Sequence, residues 1–599
     1  MDLLRSIKDR TDETEFYTPL PDGYRVGSTR YVFVFGTVIS GLGKGIFSAS
    51  LAKLLKDKGL KVAPIKLEGY LNVDSGTLNP YRHGEVFVLD DGMETDMDLG
   101  TYERMLDQDL SKHNFATSGQ IFSAILNKER AGGYLGRDVQ MIPHVTGEVK
   151  LRLRKLAVET GADVVFVEVG GTVGDIENTF YIEALREMRY EEGPANVCNV
   201  ALTYVIRPPA LGEQKSKAAQ LGIKRLMELG VMPDLVACRA ETPVTEKVRQ
   251  KISVYTSVPQ QRVFSMHDLK SIYLLPGLLR EHSIDSEIIQ MLNLGAKVNS
   301  AQDARAAIGW EKYVARINKT SGSVTIGITG KYTALRDSYA SIIKALEHSG
   351  AAHETKVDIR WIDTTDLTGD DDAVAKALEG VDGVIVPGGF GVRGTEGKIA
   401  CIKHARENRI PFLGICLGFQ MAVIEFARNV CGLEGAHSTE IQPDCREPVI
   451  DILPDQKKIE GLGGNMRLGG QDIDITPDTF AAELFDSADR IRMRFRHRYE
   501  VDPKYIQILE DHGLIFSGKH PTHPIMQILE LRRDKHPYFL GTQAHPCLTS
   551  RPLRPQPMFR ELVAAAIQKK KIGQYQSDNE LSGQKESAET TRQTDGAGT

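Results

Sequence analysis

The chain predicts two doubly wound α/β domains, each on a mainly parallel sheet, and three observations carry that expectation. Strand-like segments such as Tyr31-Val32-Phe33-Val34-Phe35 are continuously apolar, the pattern of strands covered on both faces. A glycine-rich loop, a helix-period segment and a second apolar run follow in order, which is a βαβ unit. The same pattern restarts near residue 323, so one domain does not account for the length.

Residues 1–29 are polar, end in Pro/Gly turns and read as an extension. The first domain is assigned to 30–295. Its first strand leads into the loop, then into Ile46 to Lys58 with Leu51, Leu54 and Leu55 at helical spacing, then into the strand Lys61 to Lys66. Asp163 to Val167 forms another buried strand, and Glu168 at its end should project from the carboxyl edge of the sheet, where α/β ligands bind. Residues 296–322 read as a polar linker with some helix around Trp310. The second domain, 323–570, contains strands at Ser323 to Ile328, Gly383 to Val386 and Ile410 to Ile415. The Gln/Ser/Gly/Thr-rich stretch 571–599 lacks a hydrophobic period and reads as a disordered tail.

Composition narrows the function. Of 599 residues, 41% are hydrophobic and 26% charged, as in globular proteins. With 74 Lys+Arg against 80 Asp+Glu, no global basic field argues for a nucleic-acid or membrane partner. Seven cysteines without a CxxC pair suit neither a disulfide framework nor a zinc ribbon. The charged N-terminus is no signal peptide and no apolar run nears 18 residues, so a reducing, cytoplasmic setting is expected.

Ser40-Gly41-Leu42-Gly43-Lys44-Gly45 lies between strand and helix, where backbone N–H groups cradle phosphates and a lysine meets the terminal ones. This P-loop-like segment departs from the standard loop twice. Its first glycine, Gly36, is two residues early, and Gly45 replaces the Ser/Thr that supplies a hydroxyl to Mg²⁺. Carboxylates must then hold the metal, and Asp98 and Glu168 are the candidates. Further on, Cys416 in Leu413-Gly414-Ile415-Cys416-Leu417-Gly418 has the setting of a nucleophile elbow, with helix N-terminal dipoles expected to lower its thiol pKa. Pro387-Gly388-Gly389-Phe390-Gly391 offers oxyanion donors, and His545 offers a base. The basic run Arg492 to Arg498 reads as an anion-recognition strand or a solvated face.

Taken together, the glycine loop, the segment Lys66 to Pro80, His83-Gly84-Glu85, Tyr134-Leu135-Gly136, Glu168 to Glu177, the Gly388–Gly391 turn, the Cys416 elbow and Arg496-His497-Arg498-Tyr499-Glu500 resemble the CTP synthases over roughly residues 30 to 568. The resemblance implies a dethiobiotin-synthetase-type amidoligase domain followed by a class I, triad-type glutamine amidotransferase domain, assembled as a homotetramer, with filament formation left open. It implies that ATP with Mg²⁺ phosphorylates O4 of UTP and that ammonia, from glutamine or free, displaces the phosphate to give CTP, itself a feedback inhibitor.

The resemblance also implies residue roles. Gly41, Leu42, Gly43, Lys44, Gly45, Ile46 and Asp98 would bind ATP, Lys44 and Lys66 would face the phosphates, and Asp98 and Glu168 would hold the metal. UTP and CTP would use Ser40, Asp175, Glu177, Lys215, Lys217, Gln220 and Lys224, and His83 would flank the ammonia passage. Cys416 would attack glutamine, with Gly389 and Leu417 as oxyanion donors and His545 as proton shuttle. Gly389, Phe390, Gln420, Glu440 and Arg496 would bind glutamine. Departures accompany the matches: Glu68-Gly69 replaces Asp-Pro, Ala218-Ala219 replaces Pro-Thr, His437 replaces an asparagine, and Cys547 replaces the glutamate that completes the triad. Loss of a triad carboxylate costs up to about 10⁴ in turnover in serine enzymes. The competing expectations are therefore an ammonia-only synthetase with a crippled glutaminase, or a non-catalytic structural or regulatory paralogue.

Overall fold

The computed structural model describes residues 20–134, 136–210, 212–330, 336–389, 391–452 and 466–575. The expectations for residues 1–19 and 576–599 lie outside them. Two compact units emerge, each with its own core.

The first unit is built on seven strands: β1 (Arg30–Gly36), β2 (Val62–Glu68), β3 (Phe115–Thr117), β4 (Val164–Val169), β5 (Val197–Tyr204), β6 (Leu235–Ala240) and β7 (Val263–His267). Their spatial order is β3-β2-β4-β1-β5-β6-β7, and every pairing is parallel. Parallel pairing requires crossover helices, which cover both faces and explain the unbroken apolar runs. The order reverses direction at β1, so the loop after β1 opens at a switch point, where α/β sheets bind ligands.

The second unit's sheet comprises β8 (Ser323–Gly330), β9 (Lys356–Asp363), β10 (Gly383–Val386), β11 (Phe412–Ile415), β12 (Arg467–Ile475), β13 (Arg490–His497), β14 (Ile515–Lys519), β15 (Met526–Glu530) and β16 (Phe539–Thr542). In the order β9-β8-β10-β11-β16-β15-β14-β12-β13, the first five strands pair in parallel and the remainder antiparallel. The sheet is thus mixed, and its antiparallel wing brings β13 toward the end of β11.

Boundaries differ from the sequence reading in four places. Tyr24, read as extension, is buried, and its hydroxyl lies 2.8 Å from that of Tyr31. The linker 296–322 is largely one helix, Ser300–Asn318. Trp310 on that helix packs on Tyr273 and sits 4.2 Å under the Lys53 ammonium, a cation–π contact worth about 2 kcal/mol when desolvated. A helix spans 557–575, so residues 571–575 are helical rather than tail. Most consequentially, Asn79–Gly92, assigned to the first domain, belongs to the second unit. There the buried Arg494 donates to the Val88 carbonyl at 3.2 Å, with its guanidinium 5.6 Å over the Phe87 ring, and Arg492 pairs with Asp90 at 2.9 Å.

Candidate active site

In the first unit, chemistry gathers at the carboxyl ends of β1, β2 and β4. Lys66 on β2 stands in register with Glu168 on β4, so the parallel pairing places the ammonium beside the carboxylate. Lys66 Nζ also pairs with Asp98, with Asp96 at 2.6 Å and with Glu68 at 3.1 Å, while Glu168 lies at 3.7 Å. Burial alone would lower the Lys66 pKa. The surrounding carboxylates outweigh it and hold the ammonium well above its ordinary range. One cation does not balance four carboxylates. Burial pushes Glu168 up to about 7 and Asp96 well above its usual range, whereas the pull of Lys66 outweighs burial at Asp98 and holds it low.

Lys44 opens the helix Lys44–Asp57 and donates to the Gly171 carbonyl at 2.8 Å. Burial lowers its pKa. The two departures from the standard loop have steric causes. A Cβ at Gly45 would lie 2.6 Å from Asp98 Oδ1, so the carboxylate already fills the space a serine or threonine would need. A Cβ at Gly36 would lie 2.9 Å from Lys44 Nζ, so the early glycine leaves room for the lysine. Ser40 and Gly41 are exposed, Leu42 is buried and Ile46 is half-buried in the helix's first turn. No group of three or more His, Cys, Asp or Glu among the described residues forms a metal cage. Magnesium does not need one, since it takes one or two carboxylates and completes its shell with phosphate and water. The hard oxygens of Asp98 and Glu168 fit it.

Lys215, Lys217 and Gln220 line one open basin with Arg207, Lys247 and Lys251, a concentration of cations suited to a polyphosphate. Lys224 is exposed and does not line that basin. Asp175 and Glu177 are exposed on the loop after β4; the Asp175 carboxylate accepts from Thr172 N at 2.7 Å. His83 ends the short helix Pro80–His83 within the segment that joins the second unit. Sequence reasoning missed Asp96 as a site residue and noted Glu68 only as a departure. Glu68 keeps a carboxylate on Lys66, so that departure preserves the charge.

In the second unit, Cys416 occupies the turn between β11 and the helix Leu417–Asn429 with φ 52° and ψ −103°, a strained conformation for a non-glycine residue. Cys416, Leu417, Gly389, Gln420 and Glu440 line one tight pocket, with His497 and Arg498 on its wall. Leu417 is the first residue of its helix, so its N–H has no intrahelical acceptor and is available to an oxyanion. Gln420 is fixed by donating to Tyr499 O at 2.9 Å, and Glu440 accepts from Gly391 N at 3.3 Å. Arg496 does not line this pocket, although its carbonyl accepts from the Cys416 thiol at 3.7 Å. The Phe390 assignment lies outside the described residues.

The Leu417 N–H at the helix start lowers the Cys416 pKa as expected, but burial and the Glu440 carboxylate outweigh it and push the thiol up to about 12. His545 adjoins the pocket at Gly388: a Cβ there would meet His545 Cε1 at 3.0 Å and Cys416 Cβ at 3.5 Å. The imidazole is buried, and burial with the nearby Arg496 charge holds its pKa down at about 3. Its Nε2 has no hydrogen-bond partner. Cys547, two residues on, is buried as well. At His437, another departure, Nε2 lies 3.2 Å from Glu396.

Comparison with known proteins agrees with both halves. A family profile described as CTP synthase N-terminus matches residues 30–294, and one described as glutamine amidotransferase class-I matches 334–565. A CTP synthase of Thermococcus kodakarensis is 49% identical over 543 residues, 90% of this chain and 99% of that protein. One of Halalkalibacterium halodurans is 46% identical over 542 residues, 90% of this chain and all of that protein. The glutaminase domain of Trypanosoma brucei CTPS with bound acivicin is 36% identical, covering 41% of this chain and 94% of that one at a TM-score of 0.39. With identity of this extent along nearly the whole length of its relatives, the chain belongs to the CTP synthase family.

Proposed function

We propose that the protein makes CTP by ATP-dependent amination of UTP at C4, with glutamine as nitrogen donor. The observation that carries this reading is the convergence of Lys44, Lys66, Asp98 and Glu168 at the switch point of an all-parallel sheet. Lys44, freed from the Gly171 carbonyl, meets the terminal phosphates of ATP and stabilises charge on the transferring group. Lys66 holds Asp98 ionised for the metal and adds positive charge beside the acceptor. Asp98 and Glu168 would hold Mg²⁺, which would supply positive charge to the phosphates. The Lys215–Lys217 basin takes the UTP triphosphate. Phosphorylation of O4 makes a leaving group that ammonia displaces at C4.

In the second unit Cys416 attacks the glutamine amide, and Gly389 and Leu417 N–H stabilise the oxyanion. A homotetramer and inhibition by CTP enter the proposal through the resemblance. A cytoplasmic setting is supported by seven cysteines that form no disulfide among the described residues. No described helix is long and apolar enough to cross a membrane. The matched relatives carry the enzyme's name and lend nothing to a non-catalytic paralogue.

One observation favours a second reading, in which ammonia is the better donor: the buried His545 Nε2 has no hydrogen-bond partner where the family places a glutamate. CTP formation from UTP, ATP and ammonium tests the main reading. It should be rapid in the native protein and lost in Lys44→Ala, and full activity in that variant would reduce the loop to a packing turn.

A further inference from the structure

The glutaminase pocket contains a second histidine, and that one has a carboxylate. His497 closes β13, and its Nε2 lies 2.7 Å from Glu500 Oε1. Both side chains are buried, at 2% and 0% exposure. The same Glu500 Oε1 also accepts from Arg467 at 3.2 Å. With the carboxylate accepting, Nε2 carries the imidazole hydrogen and Nδ1 presents its lone pair. That Nδ1 is buried and has no hydrogen-bond partner. His497 lines the same pocket as Cys416, and the thiol donates to the carbonyl of Arg496, the residue just before it.

We propose that the His497–Glu500 pair moves the protons of glutamine hydrolysis in this chain, a role that Cys547 has taken from His545. This deepens, and rests on, the reading of the pocket as a glutaminase site. A base that becomes a cation in a dry site needs a compensating anion; His497 lines the pocket and is hydrogen-bonded to Glu500, whereas His545 adjoins it with Nε2 lacking a hydrogen-bond partner. The other charged groups about it are Glu440, Arg496, Arg498 and Arg467, with His545 neutral behind Gly388.

As the Cys416 sulfur bonds to the amide carbon, the thiol proton passes to His497 Nδ1, directly or through one water. It then goes to the departing nitrogen as the C–N bond breaks, leaving a γ-glutamyl thioester and ammonia. Water next attacks the thioester carbon and gives its proton to Nδ1. That proton returns to sulfur as glutamate leaves.

The test measures glutamine-dependent CTP formation, divided by the same variant's ammonium-dependent rate, in four proteins: native, His497→Asn, Cys547→Glu, and the double variant. General-base loss costs about 10² to 10⁴. His497→Asn should lower the ratio about 100-fold through kcat, with the KM for glutamine little changed, yet less than about tenfold where Cys547→Glu has restored the other triad. Equal losses in the two backgrounds would show a structural role and overturn the proposal, as would a ratio held within about threefold in the native background. If His497→Asn fails to fold, Glu500→Gln, which keeps shape and removes charge, carries the same comparison with the same expected losses.

Discussion

The two active centres treat buried charge in opposite ways. In the first unit one lysine is enclosed by four carboxylates, more than it neutralises, which leaves negative charge for a cation and its phosphates. In the second, a thiol and an imidazole are both held neutral by burial, and the imidazole at the expected catalytic position has lost its carboxylate. The first is poised before substrate arrives. The second depends on groups whose protonation must change during turnover, so the lost carboxylate is expected to matter more there than Glu68 for aspartate does in the first.

The sharpest way to break this comparison is at Lys44. Lys44→Ala should abolish CTP formation with either nitrogen donor, by about 10³ or more, because the transferring phosphate loses a desolvated cation. Asp98→Asn and Glu168→Gln should each lower activity about 100-fold and raise the Mg²⁺ requirement, with thermal melting little changed. Normal turnover of both at limiting Mg²⁺ would place the metal elsewhere. Gly45→Ser tests the steric account of the loop: with its Cβ driven 2.6 Å from Asp98 Oδ1, it should cost about tenfold or more in ATP-dependent activity rather than gain a metal ligand. A gain in Mg²⁺ affinity would refute that account.

The smallest effect is expected at His437. His437→Asn removes one partner of Glu396 and leaves Arg428 at 2.8 Å, so stability should fall by less than about 1 kcal/mol in chemical denaturation. Glu396 is held at about 2, chiefly by its hydrogen bond to His437. A depressed carboxylate contributes stability above its unfolded pKa and loses it as pH falls through the folded one. The variant should therefore differ from the native protein near neutral pH and converge with it toward pH 2.

Legibility followed the range of the interactions. Glu168 and Cys416 are readable because each stands where an apolar run stops, and the sheet carries strand ends to the site. Asp96 is not, because its local role, accepting from Asp98 N at 3.1 Å, is that of an ordinary helix cap, and its pairing with Lys66 is set by the tertiary fold. His497 is hidden in a basic run. Its signal is Glu500 three residues on, and that pairing requires the chain to leave β13 between them. The transfer of Asn79–Gly92 to the second unit rests on Arg494 beneath Phe87, a contact between distant parts of the chain that no local pattern records.

The central claim is that the synthetase centre is intact while the His545 arm of the glutaminase is weakened. Its most direct test is CTP formation by the native protein with UTP and ATP, run at saturating glutamine and at saturating ammonium, then repeated in Cys547→Glu. The account predicts a higher rate with ammonium in the native protein. It also predicts about a tenfold rise in the glutamine-dependent rate on substitution, with the ammonium-dependent rate unmoved. Equal native rates with the two donors, and no gain from the restored carboxylate, would contradict it.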